Sequence, residues 1–240
     1  MRLSIFGLGY VGAVAAGCLA SQGHEVIAFD RDPDRLDRLR RGLAPVAEPG
    51  LDQLIQETVE SGRLTVTHDV GEALAGSVLT CICIEGSGRH GGLTDLAAIE
   101  ALYGEIGAAL RDKRTFHAIV LRGTLKPGLA RGLIIPALER TSGHRAGNGF
   151  GIGLYPAFLH RGTAIEDYIR PPAIVLGATD EETLARLREM DIALQAPEMV
   201  VGLEEAEAMM DGDPGRRAMP LLRNAVQQPL SLAADGLCGG

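Results

Sequence analysis

Short apolar runs alternate with longer amphipathic stretches along most of this chain. Residues 2–6 read as a buried strand, and residues 10–22 as a helix whose small residues approach a sheet. A second strand follows at 24–29, then a helix at 32–41 with Asp32 as N-cap and Pro33 at the first helical position. The pattern continues with a helix at 51–61 closed by Gly62, a strand at 64–67, and a strand at 78–84 leading into a glycine-rich loop through Gly92. A helix at 96–110, a strand at 117–122 and a helix at 128–140 come next, the last kinked or ended by Pro136. Residues 141–149 read as a polar loop, 151–155 and 173–177 as strands, 181–190 as a helix and 199–201 as a strand. Repeated βα units of this kind imply an α/β fold with a doubly wound, mostly parallel sheet. Leu203 starts a further helix that the glycines and proline of residues 211–215 break. A short helical stretch at 216–227 and a fraying tail at 229–240 follow. The expected division is one α/β domain at 1–202 and a short helical C-terminal remnant with a flexible tail at 203–240.

Charge narrows the function classes. A net charge of −8 argues against general nucleic-acid binding, which calls for a basic face. The densest basic cluster, Arg35, Arg38, Arg40 and Arg41, alternates with Asp34 and Asp37 and reads as a solvated helix face. No apolar run reaches the ~20 residues needed to cross a bilayer. The first one is interrupted by glycines and has no basic leader beyond Arg2, so it does not read as a signal peptide. With four cysteines read as free thiols, the expectation is a cytoplasmic protein without membrane contact. Cys81 and Cys83 share one strand face but lack the C-x-x-C spacing or nearby histidines of a zinc site, so no metal is expected.

The sequence Gly7-Leu-Gly9-Tyr10-Val11-Gly12 is a G-x-G-x-x-G that follows a strand and opens a helix. Asp30 stands at the end of the next strand. In a Rossmann-type site each part has a physical task. Gly7 makes the tight turn, Gly9 lets a diphosphate approach the backbone, Gly12 lets the helix pack on the strand, and the helix N-terminus offers N–H groups and its positive dipole end. Asp30 accepts hydrogen bonds from the adenosine ribose. The same carboxylate repels a 2′-phosphate, which favours NAD over NADP, a preference that the neighbouring Arg31 weakens. The alternative is a glycine-rich turn with no ligand.

Longer blocks carry a resemblance. The opening M-R-L-S-I-F-G-L-G-Y-V-G-A-V-A-A-G-C-L-A-S-Q-G-H-E-V is joined by Pro45-Val-Ala-Glu48-Pro49-Gly50-Leu51, Ile82-Cys83-Ile84 and Val120-Leu-Arg-Gly-Thr124-Leu-Lys-Pro-Gly128. Pro156-Ala-Phe-Leu159 and Ala164-Ile-Glu-Asp-Tyr168 complete the set. Over residues 1–210 the chain resembles the UDP-glucose/GDP-mannose 6-dehydrogenase family, on its GDP-mannose side. The resemblance implies NAD as cofactor and a contact set of Gly7, Gly9, Tyr10, Val11, Gly12, Asp30, Arg31, Arg35, Ile84 and Thr124. It also implies oxidation of a sugar C6 alcohol to a carboxylate in two NAD-dependent steps. That chemistry uses a cysteine nucleophile, a lysine and an asparagine on a central helix, a threonine, and the glutamates of an N-P-E-F-L-R-E-G segment.

Against that pattern the chain departs at several places. The glutamate-bearing segment is Tyr155-Pro-Ala-Phe-Leu-His-Arg-Gly162, with Ala157 and Arg161 at the glutamate positions. Met210 stands at the lysine position and Pro214 at the asparagine. The family's V-G-T-P loop is Ile84-Glu-Gly-Ser87, so Gly86 replaces the threonine and Glu85 adds negative charge. Thr124 survives beside Gly123, which replaces a serine. The family's G-G-S-C-x-P-K-D segment has no counterpart, because Cys238 lacks those surroundings, and the sugar-nucleotide-binding C-terminal domain is expected to be absent.

Three functions remain open at this point. One is an NAD(H)-binding relative that does not oxidise sugars and serves an accessory or regulatory role in sugar-nucleotide or polysaccharide metabolism. A second is an oxidoreductase acting on a different alcohol, which needs only one base and a bound nicotinamide. Its candidates are Thr124, His160, Tyr155 and Lys126. His160 and His90 also read as loop surface, Tyr155 as strand-end packing and Lys126 as solvated beside Pro127. The third is a ligand-free interaction module. The resemblance places a dimer interface on the helix after the α/β domain, and Pro214 interrupts that region, so a homodimer or another protein partner both stay possible.

Overall fold

The computed structural model describes residues 1–83 and 96–210. Chain order begins β1 (Arg2–Phe6), α1 (Tyr10–Ser21), β2 (Glu25–Phe29), α2 (Pro33–Arg40), α3 (Leu51–Glu60), β3 (Leu64–Thr67), α4 (Val70–Ala75) and β4 (Leu79–Ile82). It continues with α5 (Leu96–Leu110), β5 (His117–Leu121), a π-helical turn (Ala130–Ile134), α6 (Ile135–Ser142), β6 (Arg145–Ala146) and β7 (Gly149–Leu154). The last described elements are α7 (Ala164–Ile169), β8 (Ile174–Ala178), α8 (Glu181–Met190), β9 (Glu198–Val201) and α9 (Leu203–Met210). The strands lie in the order β3-β2-β1-β4-β5-β7-β8-β9, with β6 beside β7. Every named pairing is parallel except β7–β8.

Side-chain alternation sorts the core into two layers. On β5, Ala118 and Val120 join a cluster with α1, α3 and α8, while Ile119 and Leu121 join one with α5, α6 and α9. Strands buried on both faces have helices over each, as a parallel sheet requires. Helix α1 is almost wholly buried and made of small residues, so its backbone can lie close to the sheet.

The structure differs from the sequence reading in four places. Helices α4 and α7 were not expected. The first is only one turn or so long and is capped by the Asp69 carboxylate, which accepts from Glu72 N–H at 2.8 Å. Pro136 does not end its helix, which runs on to Ser142. Having no N–H to offer the carbonyl four residues back, it is accommodated after a widened π turn. Glu207, buried on α9, supplies the missing cap for that segment by accepting from Gly128 N–H at 2.7 Å and Ala130 N–H at 2.8 Å. The polar loop expected at 141–149 contains the short strand β6. Residues 211–240, including the expected break and tail, lie outside the described residues.

A row of polar groups crosses the sheet inside the core. The Ser4 hydroxyl lies 2.8 Å from that of Thr80 and 3.1 Å from that of Ser77, and Thr80 Oγ1 lies 2.8 Å from His117 Nε2. Burial, helped by the nearby Lys113 ammonium, pulls the His117 pKa down to about 3. The unfolded chain therefore binds a proton at His117 that the folded chain refuses between the ordinary value of 6.5 and about 3. Stability from this residue is full above pH 6.5 and is lost as pH falls through that window. Replacing His117 with Gln, which keeps a hydrogen-bonding group but does not titrate, should flatten the fall of the urea midpoint between neutral pH and pH ~5. Equal slopes for the two proteins would remove His117 as the cause.

Candidate dinucleotide site

The turn after β1 is built almost entirely from backbone. Gly7 has a φ of 92°, in the region that favours glycine, and its N–H bonds Phe29 O at 2.9 Å. Gly12 is needed for a different reason: a Cβ there would lie 1.8 Å from Gly7 O and 3.0 Å from Cys83 Cβ. Gly9 is the N-cap of α1 and has no side chain with which to cap it, and no acidic residue stands in the helix's first turn. The N–H groups of Gly9 and Tyr10 donate to no acceptor among the described residues. The unsatisfied donors and the positive dipole end of a well-packed helix thus meet at one point. That point lies outside the C-terminal end of β1, where β2 pairs on one side and β4 on the other, the crevice of an open α/β sheet. These residues fit a diphosphate.

Asp30 ties the turn to β2. Its carboxylate is buried and accepts from Leu8 N–H at 2.6 Å and Asp32 N–H at 2.9 Å, with Arg35 at 3.3 Å. A carboxylate offers about four lone-pair directions, so capacity for a ribose hydroxyl remains. Arg35 also approaches Asp32 at 3.5 Å. Arg31, in contrast, reaches across to Glu105 on α5 at 2.8 Å in an exposed pair. Val11 follows Tyr10 within the first turn of α1. Ile84, together with Glu85, Gly86, Ser87 and His90, lies outside the described residues.

A second set of contacts joins the start of α1 to the loop before α7. Tyr10 Oη donates to Glu48 Oε2 at 2.6 Å and to His160 O at 3.0 Å. Glu48 also accepts from Gly162 N–H and Ala164 N–H, both at 2.9 Å, and so caps α7 from another part of the chain. Burial pushes the Glu48 carboxyl up, but these hydrogen bonds outweigh it and hold its pKa below the ordinary value. Arg161 lies over the Tyr10 ring, its guanidinium carbon 4.7 Å from the ring centre.

The remaining candidates occupy different surroundings. Thr124 is half-buried just past the end of β5, after Gly123, while Lys126 is exposed. Tyr155 is in the core, not facing the cleft. Its ring and that of Tyr168 enclose the buried Arg122 guanidinium, at 4.2 and 4.6 Å. Burial carries the Tyr155 hydroxyl well above its ordinary pKa, which makes it a poor base or acid near neutrality. Asp191, buried in the same cluster, is raised to about 6, chiefly by burial. His160 is exposed, with Nδ1 at 3.1 Å and its backbone N–H at 2.7 Å from Asp167 Oδ2. Ala157 and Met210 are both buried. Among the described residues no group of His, Cys, Asp and Glu is placed to hold a metal ion, and no helix is long and apolar enough to cross a membrane.

Because Tyr10 and Glu48 share one bond, removing both should cost less than the sum of removing each. Tyr10→Phe and Glu48→Gln should each lower unfolding stability, by about 1–2 kcal/mol. Additive losses in a urea double-mutant cycle would contradict the coupling.

Residues 1–192 match the family model for the UDP-glucose/GDP-mannose dehydrogenase family, NAD binding domain. The GDP-mannose 6-dehydrogenase of Pseudomonas aeruginosa is 44% identical over 207 residues, covering 86% of this chain and 48% of that one. The UDP-glucose 6-dehydrogenase of Haloferax volcanii is 36% identical over 212 residues, covering 86% and 49%. Among solved structures, a ternary complex of GDP-mannose dehydrogenase from Pseudomonas aeruginosa gives a TM-score of 0.84 at 40% identity, covering 93% of this chain and 50% of that one. A UDP-glucose dehydrogenase from Pyrobaculum islandicum gives 0.79 at 36% identity, covering 87% and 48%. The chain spans about half the length of the curated relatives it matches. With the glycine turn, the acidic strand end and the parallel sheet all in place, the chain belongs to the UDP-glucose/GDP-mannose dehydrogenase family and carries its NAD-binding domain.

Proposed function

We propose that this chain binds NAD(H) at the turn after β1 but does not itself carry out the four-electron oxidation of a nucleotide sugar. Its role is then accessory or regulatory, in sugar-nucleotide or polysaccharide metabolism. One observation carries the second half of this reading. The positions that the resemblance assigns to two glutamates and a lysine hold Ala157, Arg161 and Met210, and Ala157 and Met210 are buried. A methyl group and a thioether can neither take a proton nor stabilise an oxyanion, and a guanidinium does not act as a base. Groups that serve one mechanism fail together, so the loss of several is costlier to activity than to fold.

The cofactor half of the reading is supported by the donors around the turn. Gly9 and Tyr10 N–H would hold the diphosphate, and Asp30 the adenosine ribose. Bound NAD supplies a hydride acceptor. With Arg31 drawn away to Glu105, the Asp30 carboxylate has one fewer cation to offset it near the ribose, which strengthens discrimination against a 2′-phosphate.

A second reading, turnover of a different alcohol, is favoured by one feature. Asp167 accepts from His160 Nδ1, which leaves Nε2 able to take a hydroxyl proton. In this reading His160 is the base, and Thr124 and Lys126 line the approach.

Calorimetric titration should show NAD binding with NADP bound at least tenfold more weakly, and Asp30→Asn should narrow that gap. Equal affinity for the two coenzymes would contradict the role given to Asp30. Absorbance in the NADH band should stay flat when GDP-mannose or UDP-glucose is added with NAD. Steady turnover of either sugar nucleotide would refute the accessory reading, while turnover of a simple alcohol that His160→Ala abolishes would establish the second.

A further inference from the structure

Helix α9 is tied to the segment that follows β5. Glu207, 3% exposed, accepts from Gly128 N–H through one carboxylate oxygen at 2.7 Å and from Ala130 N–H through the other at 2.8 Å. Hydrogen bonds to a buried carboxylate are charge-assisted, so these two fix the course of the loop closely. The Met210 carbonyl accepts from Leu125 N–H at 3.2 Å, and Glu204 pairs with Arg131 at the surface. The helix is fixed on its other flank too, where a Cβ on Gly177 of β8 would lie 2.6 Å from Ala206 Cβ. The loop after β5 is thus held by a helix that is itself seated on the sheet.

That loop carries Thr124 to the crevice. Phe6 pairs with Ile82 and Ile82 with Leu121, so the ends of β1, β4 and β5 lie level. Thr124, just past the end of β5, stands at the same carboxyl-terminal end of the sheet as the glycine turn. With β4 between them, the two are roughly 10 Å apart. Thr124, Leu125 and Met210 line one small crevice together with Ile82 at the end of β4. The strand order β2-β1-β4-β5 puts Asp30 on the opposite side of the turn from this crevice. A dinucleotide with its diphosphate at the turn and its adenosine ribose on Asp30 has the β4 and β5 side left for its nicotinamide half.

We propose that Glu207 is a positioning residue for the nicotinamide half of the cofactor site. By holding Gly128 and Ala130 it sets the loop that bears Thr124. By standing on α9 it ties occupancy of that half-site to the helix. This rests on the turn after β1 taking the dinucleotide, and it gives the regulatory reading a physical form: the nicotinamide end of the coenzyme is felt at α9, and the adenosine end is not. Glu207 acts through the loop, not by touching the coenzyme.

The test compares NADH with ADP-ribose, which has the same adenosine and diphosphate but no nicotinamide. In hydrogen exchange on the unaltered chain, NADH should slow exchange at residues 123–130 and at α9 together, and ADP-ribose should leave α9 unchanged. Glu207→Gln keeps the shape but turns an N–H donor toward one of the two N–H groups. Circular dichroism confirms its fold before binding is measured. The variant should raise the Kd for NADH by about tenfold and leave that for ADP-ribose unchanged. It should also move the emission of bound NADH toward that of the free coenzyme. A cap that only stabilises the fold would change neither the ratio of the two affinities nor the emission. Should the variant not fold, the exchange pattern of the unaltered chain decides alone. Protection of residues 123–130 by NADH without α9, equal protection of α9 by ADP-ribose, or an unchanged ratio of affinities in Glu207→Gln overturns the role of Glu207 and leaves dinucleotide binding intact. Failure of the unaltered chain to bind both ligands overturns the cofactor reading as well.

Discussion

A carboxylate beneath a turn and a missing Cβ within it set the geometry of the crevice. Asp30 Oδ2 receives Leu8 N–H at 2.6 Å, and Gly12 leaves Gly7 O the space that any other residue would fill. The first contact turns the loop inward at Leu8. The second lets α1 begin directly over the strand ends. Losing either would move the helix start, because the buried small residues of α1 allow little sliding against the sheet. A single hydrogen bond of this kind contributes only about 1–3 kcal/mol. Its larger effect is to fix where the helix dipole ends.

Around that point the two sides of the crevice differ in chemistry. On the side of β2, Asp30, Arg35 and Asp32 form a connected polar network at the strand end. On the side of β5 and β7, much of what lies beneath the surface is committed to the core. Arg122 is enclosed by Tyr155 and Tyr168, Asp191 is buried beside them, and Ala157 and Met210 are packed. A buried arginine is a costly choice unless aromatic faces and an acid surround it, and this cluster supplies both. The cluster packs beneath the ends of these strands, with Arg122 between two rings and Asp191 buried next to them.

The strands and long helices were legible in the sequence because their periods are strong and their caps local. Asp32 before Pro33 is one such signal, and Asp30 at a strand end is another. Gly7 and Gly12 were legible because backbone conformation and close packing allow few alternatives there. Glu48 and Glu207 were not, since each caps a helix far away in sequence, and a remote cap leaves no mark at the helix it serves. Arg122 closes the strand read at 117–122, and nothing in the local sequence marks it as a buried charge, because the two rings that enclose it come from residues 155 and 168. Helix α7 went unseen for the same reason as Glu48: its first N–H groups depend on an acid from another segment. Tyr155 and His160 could be placed near the crevice from the sequence, but only the packing separates the core residue from the exposed one.

The most direct test of the account is a crystal structure of the chain grown with NAD. Density should place the diphosphate against the N–H groups of Gly9 and Tyr10, with an adenosine ribose hydroxyl on the free lone pair of Asp30. An empty crevice at saturating NAD, or a dinucleotide bound elsewhere with the turn after β1 bare, would contradict it.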